Sequence, residues 1–492
     1  MDENSYYYRL TDKALQLSLL LLALAAPLSI AGTQFAWSLA ILFWLIRLVF
    51  VRPTFKTDGI TIAILAYVGL SLISSIFSYE PQLSLRKMVG VSLVTIVYLV
   101  AQNIRDAKMV RRVVVILLIS GTVAAAYAIG KFAIGMNLKV TKLTADSPLR
   151  AAGVREGDTI VKANGQNVAS PDQLLAAVSS MPDGNTALKV YRYELFYDYE
   201  LPATKQQDDS MVRFGIESWS RGRDVRASGF FGHYTTYAEV VQLLASVVLG
   251  LLIMAPGGPF VRNRLLLGVV LAAFSFALFL TVTRASWAGF MISAAAMVLI
   301  GASRKTILIC VLCAIPLAAG GLYYLQQKRN VAFVDTGDNS TTWRMTVWRE
   351  GVEVLVSNPR HLAIGVGMES IGYHWQDWGM FDNGKLPRSH LHSSPLALAF
   401  ERGVPVLIVW IVWMFLYLKM LWRGFRRGDL DWFERGVLLG SLGGTLGFLA
   451  AGIVHFNWGD SEVVMVFFLI MGLSMTIVNS SSGREKIAGS RE

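Results

Sequence analysis

From Leu265 to Ser303 the chain is apolar throughout and carries a single charged residue, Arg284. A bilayer span takes about 20 residues of this kind, so the run is long enough for two spans joined beside the arginine. Comparable runs recur, as from Ala14 to Gly32. Hydrophobic residues make up 54% of the 492-residue chain and charged residues only 16%, a balance well to the apolar side of soluble domains. One or two spans cannot absorb them all. The sequence therefore reads as a mainly α, polytopic membrane protein.

The apolar runs predict about twelve spans, near 14–31, 34–50, 59–78, 87–102, 112–133, 234–254, 265–282, 285–302, 306–325, 395–419, 436–455 and 462–479. With the amino terminus cytoplasmic, the inside segments carry Arg52 and Lys56, then Arg105, Lys108, Arg111 and Arg112, then Arg262 and Arg264. Further inside lie Arg304 and Lys305, then Arg423, Arg426, Arg427 and Arg435, and at the carboxyl end Arg484 and Lys486. This is a positive-inside pattern. It accounts for much of the formal charge of +11 without nucleic acid as a partner. Cys310 and Cys313 form a CxxC within an apolar run, where a redox or zinc site lacks polar surroundings, so they are read as packing. The start, MDENSYYYRLTDK, is acidic and aromatic, which argues against a cleaved signal peptide. Two long polar segments, 134–233 and 326–394, fall outside, and function is to be sought there.

In the first of these, residues 135–203 read as strand, turn, helix, strand. NLKVTKL alternates as a strand, Ser170 and Pro171 open a helix as N-cap and first-turn proline, and ALKVYRYELFYDYEL ends the pattern as a strand. The string SPLRAAGVREGDTIVKANGQNV resembles a PDZ domain of the bacterial protease-associated type. In that resemblance Gly153 and Gly157 shape turns and Asp158 leads into a strand. PDZ domains bind a peptide as an added strand, and the resemblance puts the carboxylate-holding loop near Gly135 and Met136. A structural spacer without a ligand is the alternative. There is no GxSxG nucleophile context nearby.

Four sets of residues carry candidate chemistry. Arg284 sits at the outer end of its span, where a charge is costly unless used: arginine near the bilayer centre costs about 2.5–3.5 kcal/mol, less near an interface. The alternative is an arginine snorkelling to headgroups. Arg226, in RASGFFGHYTTYAEV, also lies just outside a span, and two outward guanidinium forks suit a diphosphate. His390 and His392 precede the span at 395–419 in PRSHLHSSPLALAFERGVPVL. No HxxxH or HExxH spacing occurs among the six histidines, so a neutral histidine acting as base, worth about 10² to 10⁴ in rate, is favoured over a metal ligand. An amphipathic helix is expected over Thr342 to Val356, stopped by Asn358 and Pro359. On it Arg344 and Arg349 add positive potential or are simply solvated.

RASGFFG before a span, TRASWAG joining two spans, WRMTVW followed by NPRHLAIGVG, and HLHSSPLALAFERGVP together resemble the O-antigen ligase and polymerase family of bacterial membrane glycosyltransferases. The resemblance covers nearly the whole chain except the PDZ-like insert. It implies a glycosyltransferase-C-like fold of about twelve helices with a small α+β periplasmic insert. The implied division is 1–133 membrane helices, 134–205 PDZ-like domain, 206–325 membrane helices, 326–394 periplasmic loop and 395–492 membrane helices with a cytoplasmic tail.

The implied reaction moves a glycan from undecaprenyl diphosphate to a hydroxyl of lipid A core or a similar acceptor. It proceeds with inversion at the periplasmic face of the inner membrane, without metal or other cofactor. Arg226 and Arg284 then hold the diphosphate, whose growing charge fixed arginines stabilise in the transition state, and His392 activates the hydroxyl, with His390 a rival. The chain departs from the family at Ser393, where an asparagine commonly follows the histidine. The insert implies a protein partner that the resemblance does not name. A polymerase and a protein O-oligosaccharyltransferase require the same machinery, whereas a transporter or membrane-anchored PDZ receptor would use the arginines to bind an exported anion or to hold helices together.

Overall fold

The computed structural model describes residues 6–50, 58–104, 106–180, 184–192, 195–203, 208–223, 225–257, 261–303 and 339–488. Cys310, Cys313 and the expected span at 306–325 lie outside the described residues, as do Arg52, Lys56, Arg105, Arg304 and Lys305. The chain forms two compact units, one of 1–124, 230–279 and 283–492, the other of 125–229 and 280–282.

The first unit is helical. Among the described residues, nine helices are long and apolar enough to cross a membrane, including Gly59–Ile76, Tyr234–Met254, Arg284–Gly301 and Val404–Phe425. This is a multi-pass membrane protein. Two further expected spans are present as helices, Tyr6–Ala25 and Trp432–Gly452, but are less apolar. For the second the reason is packing. Gly436, Gly440, Gly443, Gly444 and Gly447 line it, and a Cβ on Gly250 of the helix Tyr234–Met254 would stand 2.4 Å from the Gly436 carbonyl oxygen and the Gly440 nitrogen. Small residues let two backbones touch in this way. Gly289 makes a similar approach, and a Cβ on it would stand 2.7 Å from the Gly447 carbonyl oxygen. Within the same packing, Gln242 donates to Ser293 Oγ at 2.9 Å, which satisfies its buried amide.

Two expected spans are interrupted. The region 81–103 consists of the helices Pro81–Ser92 and Thr95–Asn103. The expected span at 395–419 divides into Ser394–Arg402 and Val404–Phe425, because Gly403 between them has φ +89° and packs against the Ala363 carbonyl. Only glycine adopts that conformation without penalty.

The second unit is built on an antiparallel sheet of six strands: β1 (Asn137–Leu143), β2 (Thr159–Ala163), β3 (Gln166–Asn167), β4 (Thr186–Arg192), β5 (Leu195–Leu201) and β6 (Ile216–Gly222). The order is β5-β4-β2-β1-β6, with β3 paired to β2. Ser170 Oγ caps the helix Pro171–Ser179 by accepting from Gln173 N, as the sequence predicts. The stretch expected as one last strand resolves into the hairpin of β4 and β5. Leu138, Val140, Ile160, Leu174, Val190 and Phe214 form the core. Beside it Arg192 grips the buried Asp158 carboxylate with two nitrogens, at 2.7 and 2.6 Å. Gly153 (φ +104°) and Gly157 (φ +88°) make the turns assigned to them.

Candidate functional site

In the first unit the helix Asn339–Ser357 matches the expected amphipathic helix and stops where Asn358 caps Pro359–Ile364. Its function is visible in its polar atoms. Trp343 Nε1 donates to the Pro387 carbonyl at 3.0 Å, Trp348 Nε1 to the Leu391 carbonyl at 2.7 Å, and Glu350 accepts from the backbone N–H groups of Phe381 and Asp382. The helix thus clamps the segment that carries both histidines. That segment is strained: Phe381, Asp382, Asn383 and His392 all have positive φ, as does Val282, two residues before Arg284. Such conformations cost about 1–3 kcal/mol each and cluster at functional sites.

Ser389 Oγ lies 3.2 Å from both His390 Nδ1 and His392 Nε2, and the two rings meet edge to face at 4.1 Å. His392 packs edge-on against Trp343, with ring centroids 5.1 Å apart. Burial, with His390 and Arg344 adding positive potential, pushes its pKa down to about 3, so it is neutral at physiological pH. His390 is open to a cavity of about 650 Å³. The protein packed around it still holds it below histidine's ordinary value, burial being the main cause. His392 does not line this cavity.

The opposite wall is a strap, residues 365–369, laid against the end of the helix Ser394–Arg402. Val366 N donates to the Phe400 carbonyl and Gly367 N to the Glu401 carbonyl, while Ser74 Oγ donates to the Ile364 carbonyl at 2.6 Å. Gly365 and Gly367 have φ of +70° and +104°, and a Cβ on either would strike the helix end or Ser78. The strap delivers Glu369 and fixes Glu401. The rest of the wall is the segment 455–462, where Asp460 accepts from Thr236 Oγ1 and from Glu462 N, and His455 Nδ1 meets the buried Glu239 at 2.8 Å. A second cavity of about 270 Å³ shares Glu369, Glu401 and Phe456 with the first and continues to Arg86, Lys87 and Arg402.

Arg344 acts on His392 through its charge. Arg349 points outward, 71% exposed, and pairs with Glu353 at 3.8 Å. Arg284 is half-buried at the first turn of Arg284–Gly301, and one turn on the Trp287 indole donates to the Leu278 carbonyl. Arg226 belongs to the second unit, where the next residue, Ala227, donates its N–H to the Leu280 carbonyl. Gly135 ends the helix Ala107–Ile134 against Arg221, with Met136 exposed beside it. The strand that follows them, β1, is paired on one side with β2 and on the other with β6. Among the described residues no group of three or more His, Cys, Asp or Glu is arranged to hold a metal ion.

The carboxylates at 369, 401, 460 and 462 were not singled out by sequence. One signal was available: Glu401 and Arg402 fell inside the expected span at 395–419, and a charge there invites the same question as Arg284. Among known families, that of O-antigen ligase matches residues 267–411, and that of the PDZ domain matches residues 139–192. No curated protein matches the chain.

Proposed function

We infer that this multi-pass membrane protein, which carries an O-antigen ligase domain and a PDZ domain, transfers a glycan from undecaprenyl diphosphate to an acceptor hydroxyl at the outer face of the inner membrane. The observation that carries the reading is the cavity wall formed by Ser389 and His390 within the matched domain, with His392 bonded to Ser389 behind it. The hydroxyl oxygen attacks the anomeric carbon, its proton passes to the histidine pair, and the bond to the diphosphate oxygen breaks. Arg284 takes the diphosphate, the role that its motif implies for Arg226 as well. An anion leaving beside a fixed guanidinium is stabilised most as its charge grows. Lipid A core or a comparable glycolipid supplies the hydroxyl.

The PDZ domain takes a protein partner by strand addition. Because β1 is paired on both sides, the added strand uses an outer strand of the sheet, β5 or β6, rather than β1 beside Gly135 and Met136.

The test supplies purified protein with undecaprenyl-diphosphate glycan and acceptor glycolipid and follows release of the lipid diphosphate. Wild type is expected to release it and Arg284→Ala to lose at least about 10² of the rate. Absence of release with any acceptor, in membranes containing the native glycan, removes the transferase reading.

A further inference from the structure

The larger cavity has a lining that a transfer step alone does not call for. Its volume, about 650 Å³, lies within the roughly 300–1,000 Å³ of small-ligand sites. Trp375 and Phe456 give it flat apolar walls, and Glu369, Glu401, Asp460 and Glu462 give it four carboxylates. Among the described residues Arg388 supplies the one guanidinium in the lining, and that group is laid over the Trp375 ring at 5.0 Å. Asp460 is held by Thr236, and Glu369 pairs with Lys87. Glu401 differs: it is 9% exposed, faces both cavities and has the Glu369 N–H as the backbone donor acting on its carboxyl. Burial pushes its pKa up to about 7, opposed by Arg402 and the Glu369 N–H. A buried carboxyl with so few donors around it costs stability and persists where something else takes its remaining hydrogen bonds.

The chemistry of a fitting ligand follows from these groups. An ionised carboxylate only accepts hydrogen bonds, and even Glu401 and Glu462, whose pKa values burial pushes up to about 7, each keep acceptor oxygens, so the ligand must bring donors. The aromatic walls ask for a flat apolar face. A sugar ring has both, with hydroxyls around its rim and C–H groups on its faces, and an ammonium group on the ring adds a charge-assisted bond. A phosphate is anionic and brings like charge against carboxylates in a partly enclosed site, where repulsion is several times stronger than in bulk water.

We propose that this cavity is the subsite for the accepting sugar, and that its acidic lining selects a neutral or amine-bearing saccharide over a phosphorylated one. The assignment rests on the transferase reading above, and it places the accepting hydroxyl on the wall that already holds His390. Phosphate-bearing chemistry is thereby left to the donor.

The test uses full-length protein in lipid nanodiscs, labelled undecaprenyl-diphosphate glycan, and native acceptor glycolipid separated into pools with and without phosphate on the accepting sugar. Label is expected to enter the phosphate-free pool about tenfold faster or more, and dephosphorylation of the other pool is expected to abolish the difference. Equal or faster labelling of the phosphorylated pool overturns the proposal. Glu462→Gln is expected to narrow the ratio about threefold. Trp375→Ala is expected to raise the KM for acceptor about tenfold and leave the KM for donor unchanged. A shift in donor KM instead assigns the cavity to the donor and overturns the proposal. Lipid diphosphate released into water with both pools unlabelled removes the acceptor subsite while leaving the donor chemistry intact. A donor that stays intact with both pools removes the transferase reading itself.

Discussion

The helices Tyr234–Met254 and Trp432–Gly452 meet through bare backbone, whereas the segment from Gly365 to His392 keeps its shape through side-chain hydrogen bonds and left-handed residues. In the first region a carbon added at Gly250, Gly436 or Gly440 collides with main chain, so position is fixed by what is absent. In the second each functional group is gripped by a named partner: Glu350 on 381–382, Trp348 on Leu391, Ser389 on both histidines. The contrast separates two jobs. The glycine seam decides where helices stand, and the clamped loop decides which atoms face the cavity.

The contrast breaks most visibly at the seam. Gly440→Leu puts a Cβ 2.6 Å from the Val247 Cα. Because the obstacle is backbone, the cost is expected to exceed the usual 1–3 kcal/mol of overpacking, about enough to prevent folding. Size-exclusion chromatography in detergent should show aggregate rather than a monodisperse peak. In the loop, by contrast, His390→Ala and His392→Ala are each expected to insert and fold normally while losing about 10² or more of transfer rate. A variant that is active, or one that aggregates, would contradict the division of labour.

Glu350→Gln tests the clamp itself. It weakens two charge-assisted bonds to the 381–382 turn, and an activity loss of about tenfold with a small drop in Tm is expected, read by glycan release and by thermal scanning. The smallest effect concerns pH. Glu401 has a folded pKa of about 7 against about 4.3 when unfolded. Between those values the folded state holds the extra proton, so stability falls as pH rises through the window. Arg402 and Lys87 facing the group soften this fall, and Glu369 deepens it. The Tm of Glu401→Gln is therefore expected to gain on wild type as pH goes from about 5 to about 7. A gap that does not change with pH would show that Glu401 is already charged throughout.

The amphipathic helix, the Ser170 cap and the apolar spans were legible because each depends on neighbours a few residues away. The cavity was not. Its carboxylates come from a strap, a helix end and a loop, and they meet only because glycine at 365, 367 and 403 permits close crossings. Periodicity carries no trace of such crossings. The break at Gly403 was missed for a related reason, since an apolar run conceals a glycine whose φ is positive. Arg344 and Arg349 looked alike in sequence, five positions apart on one helix, and the fold sent one toward the histidines and the other into solvent. The β1 strand was found at its true bounds, but that its second edge is occupied by β6 could be known only from the pairing.

The glycines of Trp432–Gly452 carry one more consequence, for how the chain is made. Glycine contributes less to membrane insertion than a leucine or valine in its place would. The helix Tyr234–Met254, synthesised earlier, offers the surface that those glycines fit. Damage to the earlier helix should therefore appear as failed biogenesis of the later one.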